Sequence, residues 1–143
     1  VSAPAYTVTP LSERHRAELS LAVERAAAQW LKGVAAPGDV VHALERVLLF
    51  LKQNGAASPQ ARHVASLGFL FGQQLVRASG WTWQSVSEDG DVNPAVVSAD
   101  GRRALLVVDV VTRLVLGADK ASLAALYAAL HAGQAHPLVT ELP

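Results

Sequence analysis

No cysteine occurs anywhere in the 143 residues, so disulfides, thiolate catalysis and cysteine zinc sites are excluded, and the redox compartment leaves no mark on the chain. Aromatic residues make up only 6% of it, and much of the hydrophobic half is Ala, Val and Leu. That composition suits close-packed helices and a short buried sheet better than an aromatic-lined cavity. A net charge is also missing, because twelve basic and twelve acidic side chains cancel along the chain. No basic surface is indicated, and nucleic acid is not an expected partner. The longest apolar stretch, Ala104 to Leu116, is interrupted by Asp109 and Arg113 and falls short of the about 20 residues that cross a membrane, so no membrane association is expected. The opening Val-Ser-Ala-Pro-Ala-Tyr has no charged region followed by an apolar run, so no signal peptide is read, although one already removed would leave the same residues. Cytoplasm is the default expectation.

Catalytic signatures are equally scarce. No serine stands in a G-x-S-x-G elbow, and no glycine-rich loop follows a strand to cradle a phosphate. His15, His42, His63, His131 and His136 form neither an i,i+4 pair nor an HExxH pattern, so no metal site is expected. Asp89, Asp91 and Asn93 alternate like the opening of a calcium loop, but Pro94 stands where such a loop bends on glycine, and Asp100 where its last ligand is glutamate. A solvated acidic turn fits better. No cofactor is expected, and the balance leans away from an enzyme.

What the chain does contain is ordered periodicity. Thr9-Pro10 offers a capping hydroxyl before a proline at a first helical position, and Leu19, Val23, Ala26, Ala27, Trp30 and Leu31 recur at helical spacing until Lys32-Gly33. The other side of that helix, with Glu13, Arg14, Arg16, Glu18, Glu24 and Arg25, reads as a solvated face. A second helix follows the turn Pro37-Gly38-Asp39, with Asp39 as cap and an apolar stripe of Val40, Val41, Leu44, Val47, Leu48 and Leu51, and stops at Asn54-Gly55. A third starts at Ser58-Pro59, buries Val64, Leu67, Phe71, Leu75 and Val76, and runs to Ser79, where Gly80 ends it in the left-handed conformation.

Beyond Gly80 the period drops to two. Trp81, Trp83 and Ser85 share one face of a strand and Thr82, Gln84 and Val86 the other, up to the polar break Glu88 to Asp91. Asp100-Gly101, between Ala95–Ala99 and Arg102–Val108, predicts a tight hairpin with positive φ at both turn positions. Asp109 to Leu116 is compatible with strand or helix, and a helix after Val108 is preferred. Asp119 then caps a last helix from Ala121 to about Ala132, with Leu123, Leu126, Tyr127 and Leu130 buried.

Three constellations bear on function. Gly68 and Gly72, four apart on one helix face, predict a tight crossing against the first helix or the sheet, with a ligand pressed on bare backbone as the less favoured reading. Trp81 and Trp83 flank Thr82, and core packing is favoured over a surface platform. Asp109 and Arg113 interrupt an apolar run one helical turn apart, which reads as a local ion pair before it reads as a ligand contact.

Leu67-Gly68 with Phe71-Gly72, Leu75, Gly80-Trp81-Thr82-Trp83, Pro94-Ala95-Val96-Val97 and an apolar strand leading to Arg113-Leu114 resembles an uncharacterised bacterial domain family of unknown function, over roughly Val64 to Leu116. Such relatives often carry proline where this chain has Asp109. The resemblance implies an α+β domain and brings no activity or catalytic residue with it.

The expectation is therefore one α+β domain over residues 1–143, with helices packed on one face of a small antiparallel sheet of about three strands, and with 1–8 and 133–143 as irregular tails. The leading functional expectation is a non-enzymatic protein-interaction module, of adaptor or immunity type, binding another protein through the sheet edge and the Trp81 to Asp91 region, Asp89 included. The alternative is a small-molecule binder or small enzyme with a cleft between the third helix and the sheet, lined by Trp83, Gln73, Asp109 and Arg113. Self-association through exposed strand edges is a third reading.

Overall fold

The computed structural model describes residues 6–54, 61–88, 90–117 and 121–142. Five helices and five strands follow in the order β1 (Tyr6–Pro10), α1 (Glu13–Trp30), α2 (Pro37–Asn54), α3 (Ala61–Ser79), β2 (Thr82–Glu88), β3 (Asp91–Val97), β4 (Arg103–Leu105), α4 (Val107–Val115), α5 (Leu123–His131) and β5 (Thr140–Glu141). The strands form one antiparallel sheet in chain order, so every neighbour in the sheet is a neighbour among the strands in sequence. The α+β class is as expected.

Period-two alternation in β2 gives the sheet two unlike faces. Trp83 and its cross-strand partner Val96, with Leu105 beyond it, face the helices and join the main core with Leu44, Leu67, Phe71, Val111 and Leu126. Val86, Ala95, Val97 and Ala104 point the other way, yet all four are buried. Tyr6 on the first strand and Leu142 just after the last both pack on this same group. Residues from both edges of the sheet thus cover one small cluster, so the curled sheet carries a second, minor core on the face away from the helices.

Two strands exceed the expected three. Tyr6-Thr7-Val8-Thr9 is aromatic and β-branched, a good strand composition, but Thr9-Pro10 competes with it as a helix start. The structure resolves the conflict: Pro10 closes β1 opposite Gln84, and α1 starts after Ser12, whose Oγ accepts from His15 N–H at 3.1 Å. At the other end, Thr140–Glu141 pairs with Arg103–Ala104, a contact too short to leave a periodic signal. Neither 6–8 nor 140–141 is irregular.

The two Asp-Gly pairs also exchange roles. The two-residue hairpin link falls between Glu88 and Asp91, with Gly90 at φ +90°, while Asp89 itself lies outside the described residues. At Asp100-Gly101 the connection is longer, and only Gly101 has positive φ, at +74°. Side chains hold it that way: Ser98 Oγ donates to Asp100 Oδ1 at 2.6 Å, Arg102 N–H donates to the same oxygen at 3.0 Å, and Arg103 N–H donates to Ser98 Oγ at 3.1 Å.

Helix ends follow their local chemistry. Pro37 takes the first position of α2, so Asp39, expected as its cap, lies within the first turn; Gly80 ends α3 at φ +72°, and Ser122 caps α5 by accepting from Ala125 N–H at 3.0 Å. The signals at Gly55, Ser58-Pro59 and Asp119 lie outside the described residues. Glu45 of α2 accepts from Ala124 N–H at 3.1 Å, placing a carboxylate at the positive end of α5. Gln74, buried in α3, donates to Leu70 O and accepts from Arg77, which also donates to Ala35 O and so ties α3 to the segment between α1 and α2.

Candidate functional site

α1 is the element that leaves room. Of its 18 residues only Leu19 and Ala26 are buried, whereas α4 buries five of nine. Its charged side stands in solvent as expected, with Arg14 Nε 3.2 Å from Glu18 Oε1 across one exposed turn. His15, Glu18, Leu19 and Ala22 recur at i, i+3, i+4 and i+7, so they form one stripe. That stripe overlooks a groove of about 410 Å³ whose far side is the sheet.

Ser85 of β2 and its cross-strand partner Pro94 form the groove floor with Leu11, Phe69 of α3 forms a wall, and Val92 of β3 marks the mouth, 61% exposed. Phe69 is held edge-on against Trp83, with ring centroids 6.3 Å apart and planes at 78°. Packed interiors leave few voids larger than a water molecule. A recess of this size, mostly apolar with a few polar groups, lies within the range of small-molecule sites, roughly 300–1,000 Å³.

On the other flank of α1, a smaller groove of about 250 Å³ is lined by Arg16, Leu19, Ser20, Val23, Glu24, Gln73 and Trp83. Here two expected site residues do meet: Trp83 Nε1 donates to Gln73 Oε1 at 3.0 Å. Leu19 lines both grooves. The expected cleft between the third helix and the sheet is thus partly filled by this Trp83–Gln73 contact, and α1 supplies the wall of the open space beside it.

The remaining candidates are dispersed. Asp109 and Arg113 lie one turn apart on the exposed side of α4, where no ion pair joins them, and neither lines either groove. The amphipathic pattern of α4 explains this, since Val107, Val110, Val111, Leu114 and Val115 take the buried side against the core. Trp81 is 4% exposed and so offers a partner no platform. Asp91 is exposed at the start of β3, opposite Glu88, and Asp89 is outside the described residues. Because β1 pairs along the whole of Tyr6–Pro10 with Gln84–Glu88, that stretch of β2 has no free edge for a partner to join.

Trp81 instead underlies a second, more open depression of about 390 Å³, lined also by Ser79, Ser98, Asp100, Arg103 and His131. Ser79 Oγ and His131 Nδ1 are 2.8 Å apart, and the His131 ring stacks on Tyr127 at 5.7 Å and 5°. Distance alone suits a nucleophile and its base. The setting does not: Ser79 and His131 end α3 and α5, where helix carbonyls disfavour a developing alkoxide. The nearby N–H groups of Gly101, Arg102 and Arg103 are already spent on Ser98 and Asp100, and Arg103 Nη1 is turned to the carbonyls of Gly133 and Gln134. The Ser98 hydroxyl and Arg102 N–H hold the Asp100 carboxyl below its ordinary pKa, a property of the turn. This depression is a junction of helix ends.

Among the described residues no group of three or more His, Asp or Glu is placed to hold a metal ion, and no helix is long and apolar enough to cross a membrane. Comparison with family models, curated proteins and solved structures finds no match to the chain.

None of the residues lining the groove between α1 and the sheet was an expected site residue: Leu11, His15, Glu18, Leu19, Ala22, Phe69, Ser85, Val92 and Pro94 were all missed. Their one visible signal is the α1 stripe from His15 to Ala22, which mixes polar and apolar residues and so reads as neither core nor charged face.

Proposed function

We propose that this chain is a binding protein and that its site is the groove between α1 and the sheet, which takes a small, largely apolar molecule. The observation that carries this reading is the recess of about 410 Å³ between Leu19, Phe69 and Pro94, under a helix whose buried anchors are Leu19 and Ala26. The space is wide enough for a ring system, and its wall is the part of the helical layer least committed to the core.

The protein-interaction reading has support at a different place from the one expected. β4 pairs with β3 only at Val96 and Val97, so among the described residues Asp91 to Ala95 present an outer edge beside exposed Val92. Pro94 removes one N–H from that edge, which weakens it as a template for an added strand. The bacterial resemblance is compatible with either reading and supplies no activity to choose between them.

A thermal-shift screen against small aromatic and branched aliphatic molecules tests the groove directly, because a ligand at 100 times its Kd stabilises by about 2.7 kcal/mol. Hits are expected to lose their effect in Ala22→Phe, which fills the groove, and to keep it in Leu21→Phe on the exposed side of the same helix. Equal loss in both variants, or shifts unchanged in Ala22→Phe, would place binding elsewhere.

A further inference from the structure

Ser85 is the polar residue set deepest in the groove, and no described residue uses its hydroxyl. The residue is only 6% exposed, its Oγ makes no hydrogen bond to any described residue, and it lines the recess beside Pro94, which has no N–H to offer. No side-chain N or O sealed from solvent lacks a partner among the described residues, so this oxygen is open to the groove. A hydroxyl so placed both donates and accepts, and a ligand that leaves it unmatched forfeits a bond that water supplied before.

The rest of the lining decides the charge of what can bind. Leu11, Leu19, Phe69 and Pro94 are apolar, His15 and Glu18 are the ionisable groups on the lining, and among the described residues no Lys or Arg lines the recess. Glu18, on the rim, already has its own cation in Arg14 at 3.2 Å, so it does not call for a cationic ligand. A carboxylate entering here would give up its hydration for the Ser85 hydroxyl and the His15 imidazole, with the Glu18 carboxylate on the same lining.

We infer that the ligand is an uncharged, compact apolar molecule with one hydrogen-bonding group, of the class of aromatic or branched aliphatic alcohols and ketones, seated with that group on Ser85. This rests on the groove being the binding site, and the experiment separates the two. Naphthalene, 1-naphthol and 1-naphthoate present the same ring with no polar group, a neutral hydroxyl and an anion, and each is titrated by calorimetry into the wild-type chain and Ser85→Ala. The wild type is expected to bind 1-naphthol about tenfold more tightly than naphthalene, in line with one buried hydrogen bond, and to bind 1-naphthoate more weakly than 1-naphthol. In Ser85→Ala the first two are expected to converge on the naphthalene value. Equal binding of naphthalene and 1-naphthol by the wild type, or tighter binding of 1-naphthoate, overturns the assignment of ligand class and leaves the groove reading standing. Failure of all three to bind overturns both. The ranking in the wild type decides the ligand class even if the variant does not fold, and a Ser85→Thr variant, which keeps the hydroxyl, is expected to retain the preference for 1-naphthol.

Discussion

Gly68 and Gly72 show how a spacing becomes a contact. A Cβ at residue 68 would stand 2.8 Å from the carbonyl oxygen of Val107, the first residue of α4, and one at residue 72 would stand 2.6 Å from Cη2 of Trp83 and 3.0 Å from Val107 Cγ1. The tight crossing predicted from the four-residue spacing is therefore present, with the nearest atoms belonging to the start of α4 and the indole of β2. Gly68→Ala gains about 1 kcal/mol of helix propensity but meets backbone that cannot rotate aside, an overpacking cost of about 1–3 kcal/mol or more. A net destabilisation of about 1–2 kcal/mol is expected in urea unfolding, and a neutral or stabilised variant would contradict the close approach. The spacing was legible in the sequence because it is local. Its partner was not, since Val107 is reached only through the fold. Ser85 behaves similarly: its face was readable from alternation with Trp81 and Trp83, but its unused hydroxyl depends on α1 standing off the sheet.

At the scale of elements, α1 and α4 are opposites. α4 reads Val-Val-Asp-Val-Val-Thr-Arg-Leu-Val, a poor helix by propensity, and is helical because five of its residues pack on the core. α1 has better local credentials, with a serine cap and exposed charges of both signs, but buries only Leu19 and Ala26. A helix with so few buried anchors opens at low free energy. Hydrogen exchange is expected to show α1 amides less protected than those of α3, and 1-naphthol is expected to raise protection in the turn from Glu18 to Ala22. Protection in α1 equal to that in α3 without ligand would mean that the helix is not the adjustable wall of the groove. All five helices were expected: α1, α2 and α3 are long, α4 is strongly amphipathic, and α5 shows its leucines at helical spacing. Sequence reasoning passed over β1 because Pro10 serves a strand end as well as a helix start, and β5 because two residues carry no period.

At the scale of the molecule, the curled sheet accounts for where a site can be. Its face away from the helices is occupied by Val86, Ala95, Val97 and Ala104 with Tyr6, Leu106 and Leu142, and the other face is largely sealed by α3 and α4. On the helix-covered face, two grooves therefore lie beside the sparsely anchored α1, next to β2 and β3. The α+β class follows from periodicity alone. The groove does not, because it is a mismatch between elements distant in the chain, and each of them reads as ordinary on its own. The most direct measurement is the pattern of amide shifts in the ¹⁵N-labelled chain as 1-naphthol is added. Perturbations are predicted to centre on Leu19, Ala22, Phe69 and Ser85; shifts centred instead on Ser79, Arg103 and His131, or no shifts at any residue, would contradict the groove as the site.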